Sequence, residues 1–281
     1  MDTNFIVIFS YFIVIYRIVQ LYEVLIAMSF QNQFTKTTTD ANLMETVHHG
    51  SAEYPFRYYY ENIALFDFKC IDWHWHSELE FIYIESGNVV FDIGAAHFEL
   101  NKGNGIMINS KILHRLQSSS DAIIPNFLFQ PSFIASQDSL IYKKYISPVI
   151  SSSLEYLVFQ PDIPWQKKAL EIIKTIIAVQ ETEFNREIIV SMSVQQLWIL
   201  LLENLTFDQF ENMGAVISRT RLQLMMQYVH AHYSENITLE DIARTANISK
   251  STALHLFQNN LKLTPVKYLI NYRLKQAALL L

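Results

Sequence analysis

The chain of 281 residues has a single cysteine, Cys70. One thiol excludes an internal disulfide and a thiolate metal cluster, and it fits a reducing compartment. A secretory leader is not expected either. The n-region carries Asp2 in place of lysines, and no small-residue cleavage site follows. Basic residues are scarce: 21 Lys and Arg face 27 Asp and Glu, a net charge of −6. That is the wrong sign for a protein that approaches phosphate.

The scarcity is uneven. Residues 219–281 hold eight basic and three acidic side chains, net +5, which leaves −11 on the first 218. A basic C-terminal module on an acidic body is the pattern expected when one end meets nucleic acid. The length allows two domains. Apolar content of 51%, with 14% aromatic, supplies a sizeable core.

Residues 5–28 are strongly apolar and long enough to cross a bilayer. Arg17 and Glu23 sit inside the stretch, where charge is expensive. Three readings stay open: an over-extended start with translation from Met28 or Met44, a membrane anchor, or a segment packed on the body. Residues 35–42 are polar and read as a linker.

From about residue 58 to 129 short runs alternate apolar and polar between turn residues. Residues 79–84, 89–93, 97–100 and 105–108 each suit a strand. Several short strands at close spacing predict an antiparallel sandwich or small barrel. Residues 165–183 and 186–205 then repeat apolar side chains at helical spacing: Leu170, Ile173, Ile177, then Ile189, Val194, Leu197, Leu201. They predict an antiparallel helical pair. Residues 207–218 read as an interdomain linker.

The strand region holds a candidate site. His74, His76, Glu80 and Gly87 have the spacing H-x-H-x3-E-x6-G, and Gly103 precedes His114. On a strand His74 and His76 face one side. Two imidazoles, a carboxylate and a distant His can converge on a small organic molecule or on one divalent metal. Trp73, Trp75, Phe81 and Tyr83 read as core or pocket wall, and a sugar would stack on such walls. The two clusters resemble the motifs of the cupin barrel. In the second, Asn109 stands where proline is usual, Lys111 where glycine is, and Ser118 where asparagine is. Those changes bear on turns more than on ligands.

Arg219 to Tyr233 reads as a lead helix with Leu222, Met225, Met226 and Val229 on one stripe. Thr238 and Asp241 form an N-capping box. Ile242, Ala243 and Ala246 face inward from the short helix that follows. Asn247 marks a turn needing positive φ, which Asn tolerates. Ile248 plugs the core below the turn, and Ser249 caps a second helix. There Ala253, Leu254, Phe257 and Leu261 form the inner stripe. Ser249, Lys250, Ser251, Thr252, His255, Gln258 and Asn259 are left outward, short hydrogen-bonding groups suited to base edges and phosphates. Thr264 and Pro265 open a third helix.

Residues 237–257 resemble the first helix-turn-helix of the AraC/XylS transcription regulators, and residues 263–274 resemble the linker helix after it. The resemblance covers the chain from about Leu43. It implies an α+β protein: a cupin-like antiparallel β-barrel with a helical pair, then an all-α helix-turn-helix domain. Boundaries are expected at 1–42 (extension and linker), 43–206 (sensor and dimerisation domain), 207–218 (linker) and 219–281 (DNA-binding domain). Family members carry a second helix-turn-helix after the linker helix, and this sequence stops at Leu281 within that helix. Asn247 replaces the usual turn glycine, and His255 and Gln258 stand where basic residues are common.

The resulting expectation is a cytoplasmic, homodimeric, non-enzymatic regulator with no resident cofactor. It reads double-stranded DNA, acts on the transcription machinery, and answers to a small-molecule effector held by His74, His76, Glu80 and His114. The rival reading is a cupin metalloenzyme using the same four residues, with purely structural C-terminal helices. A third is an inactive relic that dimerises with intact partners.

Overall fold

The computed structural model describes residues 36–40, 43–94, 96–181, 184–205, 213–261 and 263–278. The apolar stretch at 5–28 lies outside the described residues. No helix among the described residues is long and apolar enough to cross a membrane.

Among the described residues, nine strands build two facing sheets: β1 Phe56–Asn62, β2 Cys70–His74, β3 Leu79–Tyr83, β4 Asn88–Ile93, β5 Ala96–Asn101, β6 Gly105–Ile108, β7 His114–Gln117, β8 Ile123–Phe129 and β9 Tyr156–Phe159. One sheet has the order β1-β8-β3-β6-β9 and the other β2-β7-β4-β5. The pairings are antiparallel. This is the expected cupin-like barrel.

Period-two alternation sorts the side chains. On β3, Ile82 faces the barrel interior with Ile84, Val89, Phe91, Ile106 and Leu116. Leu79 and Phe81 face the other way, into a second core. There Phe81 stacks on Phe127 with centroids 5.3 Å apart. Two helices cover this outer face: α1 Pro164–Ala178 and α2 Arg186–Asn204. They bury Ala169, Leu170, Ile173 and Ile176 from α1 and Val190, Val194, Leu197, Trp198 and Leu201 from α2. Each large apolar side chain so buried contributes roughly 1.5–3 kcal/mol. Ile189 is not on the buried stripe, as the spacing had suggested. It is 36% exposed, and its neighbour Val190 is buried. The first helix is also shorter than expected, ending at Ala178 and closing in the 3-10 turn Val179–Glu181.

Among the described residues, four helices form the C-terminal module: α3 Met213–His232, α4 Leu239–Thr245, α5 Lys250–Leu261 and α6 Pro265–Ala278. α3 starts earlier than the expected Arg219. Leu222, Met225, Met226 and Val229 are buried with Ile242, Ala243, Ala246, Ala253 and Phe257. Thr238 caps α4: its hydroxyl accepts from the Asp241 amide at 3.2 Å, and the Asp241 carboxylate accepts from the Thr238 amide at 2.9 Å. Asn247 turns the chain with φ 55°. Ser249 caps α5, accepting from the Thr252 amide at 3.2 Å. Leu254 and Leu261 are half-buried at the edge of the inner stripe.

The module's core extends onto the barrel. Leu43 and Leu113 are buried in it, and Trp73 and Trp75 pack against it. The two tryptophans are therefore core where the helices dock, one of the two roles expected for them.

Candidate functional site

The histidine cluster depends on one irregularity in β2. Ile71 pairs with Leu116 and His74 with His114, so β2 carries one residue more than β7 between the two pairs. This is a β-bulge. Ile71 lies in the barrel core. An unbulged strand would place Trp73 opposite His114 and turn His74 and His76 outward, because a one-residue slip exchanges the faces. The bulge at Asp72 and Trp73 restores the histidines to the interior and sends the tryptophans to the helices.

Four expected residues meet inside the barrel. His74 comes from β2, His114 from β7, Glu80 from β3 on the opposite sheet, and His76 from the β2–β3 connection. All four are buried. One ring nitrogen from each histidine lies within 4.8 Å of the other two. The Glu80 Oε2 is 3.2 Å from His114 Nε2 and 3.4 Å from His76 Nε2. Each Nδ1 faces a backbone carbonyl: His74 that of Asp72 at 2.7 Å, His76 that of Glu78 at 3.2 Å, His114 that of Ile112 at 2.8 Å. A carbonyl only accepts, so the three Nδ1 atoms are the protonated ones, and in the neutral ring each Nε2 bears a lone pair.

Burial, reinforced by neighbouring His114, pushes the His74 pKa down to about 3. Burial also opposes charge on His76, but the nearby carboxylates, Glu80 first, outweigh it and raise its pKa. Burial likewise works against ionised Glu80, yet His114 and His76 beside it hold the carboxyl below the usual range. The cavity at the cluster is only about 40 Å³, lined also by Glu45, His49 and Tyr59. A drug-sized ligand needs several hundred Å³.

The departures from the cupin pattern have structural roles. Asn109 donates to the carbonyls of Val149 and Leu154 at 3.0 and 2.8 Å. Lys111 adopts φ 61°, the conformation a glycine would hold freely. Ser118 donates to the Asn88 carbonyl at 2.7 Å. Gly87 is required: with φ 75°, a Cβ there would lie 2.5 Å from the Asp121 carbonyl oxygen.

On α5 the side chains of Ser249, Lys250, Ser251, Thr252, His255, Gln258 and Asn259 are all exposed. They lie at the cap, the first turn and the outer side of a helix held by a tight turn, the form that enters a major groove. Lys250 reaches Glu240 at 3.2 Å, and Arg244 lies 3.6 Å from Asp241.

Three features escaped the sequence reading. One is the segment around Leu43 and Glu45, which hydrogen-bonds along residue 75: Trp75 N donates to Leu43 O at 3.0 Å and Glu45 N to Trp75 O at 2.9 Å. Another is the ion pair of Asp72 with Lys275. The third is a cleft of about 420 Å³ between barrel and helices, lined by Phe68, Trp73, Arg115, Tyr272 and Lys275 among others. The alternation Trp-His-Trp-His at 73–76 was the available signal: inward histidines imply outward tryptophans.

A barrel with a buried polar cluster, docked on a helix-turn-helix with a polar outer face, defines a ligand-responsive transcription regulator. Comparison with known proteins agrees. Residues 66–172 match the AraC-like ligand binding domain. Over 249 residues the chain is 33% identical to an uncharacterized HTH-type transcriptional regulator, YdeC, of Bacillus subtilis (strain 168), covering 86% of this chain and 84% of that protein. It is 27% identical over 115 residues to the lactose operon transcription activator of Staphylococcus xylosus, 41% of this chain and 40% of that one. Among solved structures, ToxT from Vibrio cholerae is similar with a TM-score of 0.35 and 13% identity, over 77% of this chain and 98% of that chain. The chain belongs to the AraC/XylS family of transcription regulators.

Proposed function

We propose that this chain is a sequence-specific DNA-binding regulator in which α5 reads the major groove and the barrel holds the effector at His74, His76, Glu80 and His114. The observation that carries the reading is the exposed surface of α5, six polar side chains on a helix whose position is set by the Asn247 turn and the likewise exposed Ser249 cap. Phosphate contacts supply affinity and base-edge contacts supply sequence preference. Lys250 takes the first role, and Thr252 and His255 the second. The sensor and dimerisation domain takes residues 43–206 and the DNA-binding domain residues 219–281, with a linker at 207–218 between them, and the protein works in the cytoplasm without catalysing a reaction.

Pairing of two chains presents two recognition helices to half-sites about one helical turn apart, or a multiple of it. Ile188, Met192 and Ile199 on the outer side of α2 are 61%, 66% and 57% exposed. They support dimerisation through the helical pair, because such side chains gain by leaving water.

The test is a gel shift with a duplex selected by the protein from a random library. Lys250→Ala weakens binding to every sequence, while Thr252→Ala or His255→Ala changes the preferred bases. No effect from any of the three sinks the residue assignment.

A further inference from the structure

We propose that the cleft between the barrel and α6 is a second binding site, for a planar heteroaromatic molecule whose edge carries a ring N–H beside a carbonyl. The site is separate from the histidine cluster and does not depend on what the barrel holds. Only its effect on DNA rests on the regulator reading above.

Size is the first ground. The cleft measures about 420 Å³, and the chamber at the histidines about a tenth of that. Small-molecule sites favour domain interfaces and cavities of this larger class, with apolar walls and a few polar groups.

The second ground is a strained aromatic. Phe68 and Lys69 both hold positive φ, 58° and 51°, a region that is costly for bulky side chains. The Phe68 ring is nevertheless 58% exposed at the cleft wall, so core packing does not offset the strain. Strain of this kind persists at ligand clamps. Trp73 and Tyr272 add further ring surface to the cleft. Tyr272 is backed by the His230 ring at 3.8 Å, which fixes its plane. A flat heteroaromatic ring stacks on such surfaces.

The third ground is a donor beside an acceptor. Asp72 and Lys275 sit side by side in the lining, one from the barrel and one from α6. Their side chains are 25% and 28% exposed, so both are reached from the cleft. An ammonium has three N–H donors. Among the described residues, that of Lys275 donates one hydrogen bond, to Asp72. The Asp72 carboxylate offers about four acceptor positions on its two oxygens. Lys275 takes one, and Arg115 Nε approaches another at 3.4 Å. The other guanidinium nitrogens of Arg115 are committed to Asp92 and Gln117, at 3.2 and 2.8 Å. An open donor next to an open acceptor complements an N–H beside a C=O, the edge of a lactam such as a nucleobase or a pteridine carries. A simple carboxylate meets Lys275 and is repelled by Asp72, and a simple amine meets the reverse.

A ring held there touches β2 and α6 at once. A ligand that binds one arrangement of barrel and helices better than another shifts the population of the two. The coupling to DNA is reciprocal.

The experiment uses the whole chain and lumazine, a fluorescent bicyclic dione with the required edge, in equilibrium dialysis. One equivalent is expected to bind. The N,N-dimethyl analogue keeps the rings and carbonyls but lacks the N–H groups, and is expected to bind at least about tenfold more weakly. Phe68→Gly removes the ring and relieves the positive φ. It is expected to weaken binding roughly fivefold or more while the Tm holds or rises. Lys275→Met, checked for folding by circular dichroism, is expected to weaken binding about tenfold. Phe184→Ala, an exposed aromatic outside the cleft lining, leaves it unchanged. Saturating lumazine is expected to change affinity for the selected duplex about fivefold or more.

No binding at about 1 mM lumazine, or equal binding of the dimethyl analogue, overturns the site. Binding that survives both Phe68→Gly and Lys275→Met places the ligand elsewhere and overturns it too. So does a cleft that takes anilinonaphthalene sulfonate and not lumazine, which is an apolar surface without lactam recognition. Stoichiometric lumazine with unchanged duplex affinity overturns the coupling. A protein that selects a duplex and ignores lumazine ends this inference and leaves the regulator reading standing. One that binds lumazine as described and selects no duplex does the reverse.

Discussion

Lys275 on α6 forms an ion pair with Asp72 in the β2 bulge, two residues before His74. Arg115 on β7 approaches the same carboxylate from the barrel side at 3.4 Å. Burial opposes the Asp72 charge, and Lys275, then Arg115, more than offset it, so the carboxyl titrates below its ordinary range. One acidic side chain is thus shared by the barrel and the last helix. Urea unfolding of wild type, Asp72→Asn, Lys275→Ala and the double variant is expected to give a coupling of about 1–2 kcal/mol, in the range for partners in direct contact. A coupling near zero means that the pair does not hold the two parts together.

Glu240 pairs with two basic side chains of the motif, one of them the proposed phosphate contact Lys250. It lies 3.2 Å from Lys250 and 3.9 Å from Arg244, all three on the surface. Exposed pairs of this kind are worth about 0.2–1 kcal/mol. Glu240→Gln is therefore expected to tighten binding to the selected duplex by up to about fivefold at low salt. The gain shrinks as salt rises, because salt screens the pair and weakens phosphate contacts. Affinity measured over a salt series checks both, and weaker binding by the variant at low salt refutes it.

Much of this architecture was legible because its signals are local. The capping box at Thr238 and Asp241, the turn at Asn247 and the apolar stripe from Leu222 to Val229 each sit within a few residues, and backbone geometry leaves them few alternatives. The i, i+2 spacing of His74 and His76 likewise put them on one face. Which face was not legible, because it depends on an extra residue at Asp72 and Trp73 that shows only when β2 is laid against β7. Nor could the contacts Leu43–Trp75 and Asp72–Lys275 be read, since each joins segments distant in sequence. Ile189 shows a third limit. Apolar periodicity assigned it to the buried stripe, but the stripe's exact phase is set by the partner helix, which takes Val190 instead.

The hydroxyl of Thr238 satisfies one amide at the start of α4, the helix that positions the turn. Thr238→Ala is expected to cost about 1 kcal/mol, the usual loss for an N-cap. Thr238→Ser keeps the oxygen and is expected to restore most of it. Chemical denaturation of the three proteins checks the difference. If alanine and serine behave alike, the cap oxygen contributes nothing to the motif's stability.

His230 on α3 sets a pH dependence at the same junction. Its Nε2 is 2.7 Å from the Tyr268 hydroxyl, and its ring stacks on Tyr272 with centroids 3.8 Å apart. Burial lowers its pKa to about 4, against the pull of the Asp72 carboxylate and with help from Lys275. An unfolded histidine titrates near 6.5. Between those values the unfolded chain binds the proton and the folded one does not, so stability rises with pH across that window. The contribution is whole above about pH 6.5 and falls away as pH drops toward 4. His74, whose pKa is also lowered by burial, adds a slope of the same sign. A His230→Gln variant removes one slope and keeps the other. Its deficit in stability relative to wild type is therefore expected to shrink by about 1–2 kcal/mol between pH 7 and pH 5. A deficit that stays constant over that range would show that His230 is protonated equally in the folded and unfolded chains, and that the junction around Tyr268 and Tyr272 does not exclude the charge.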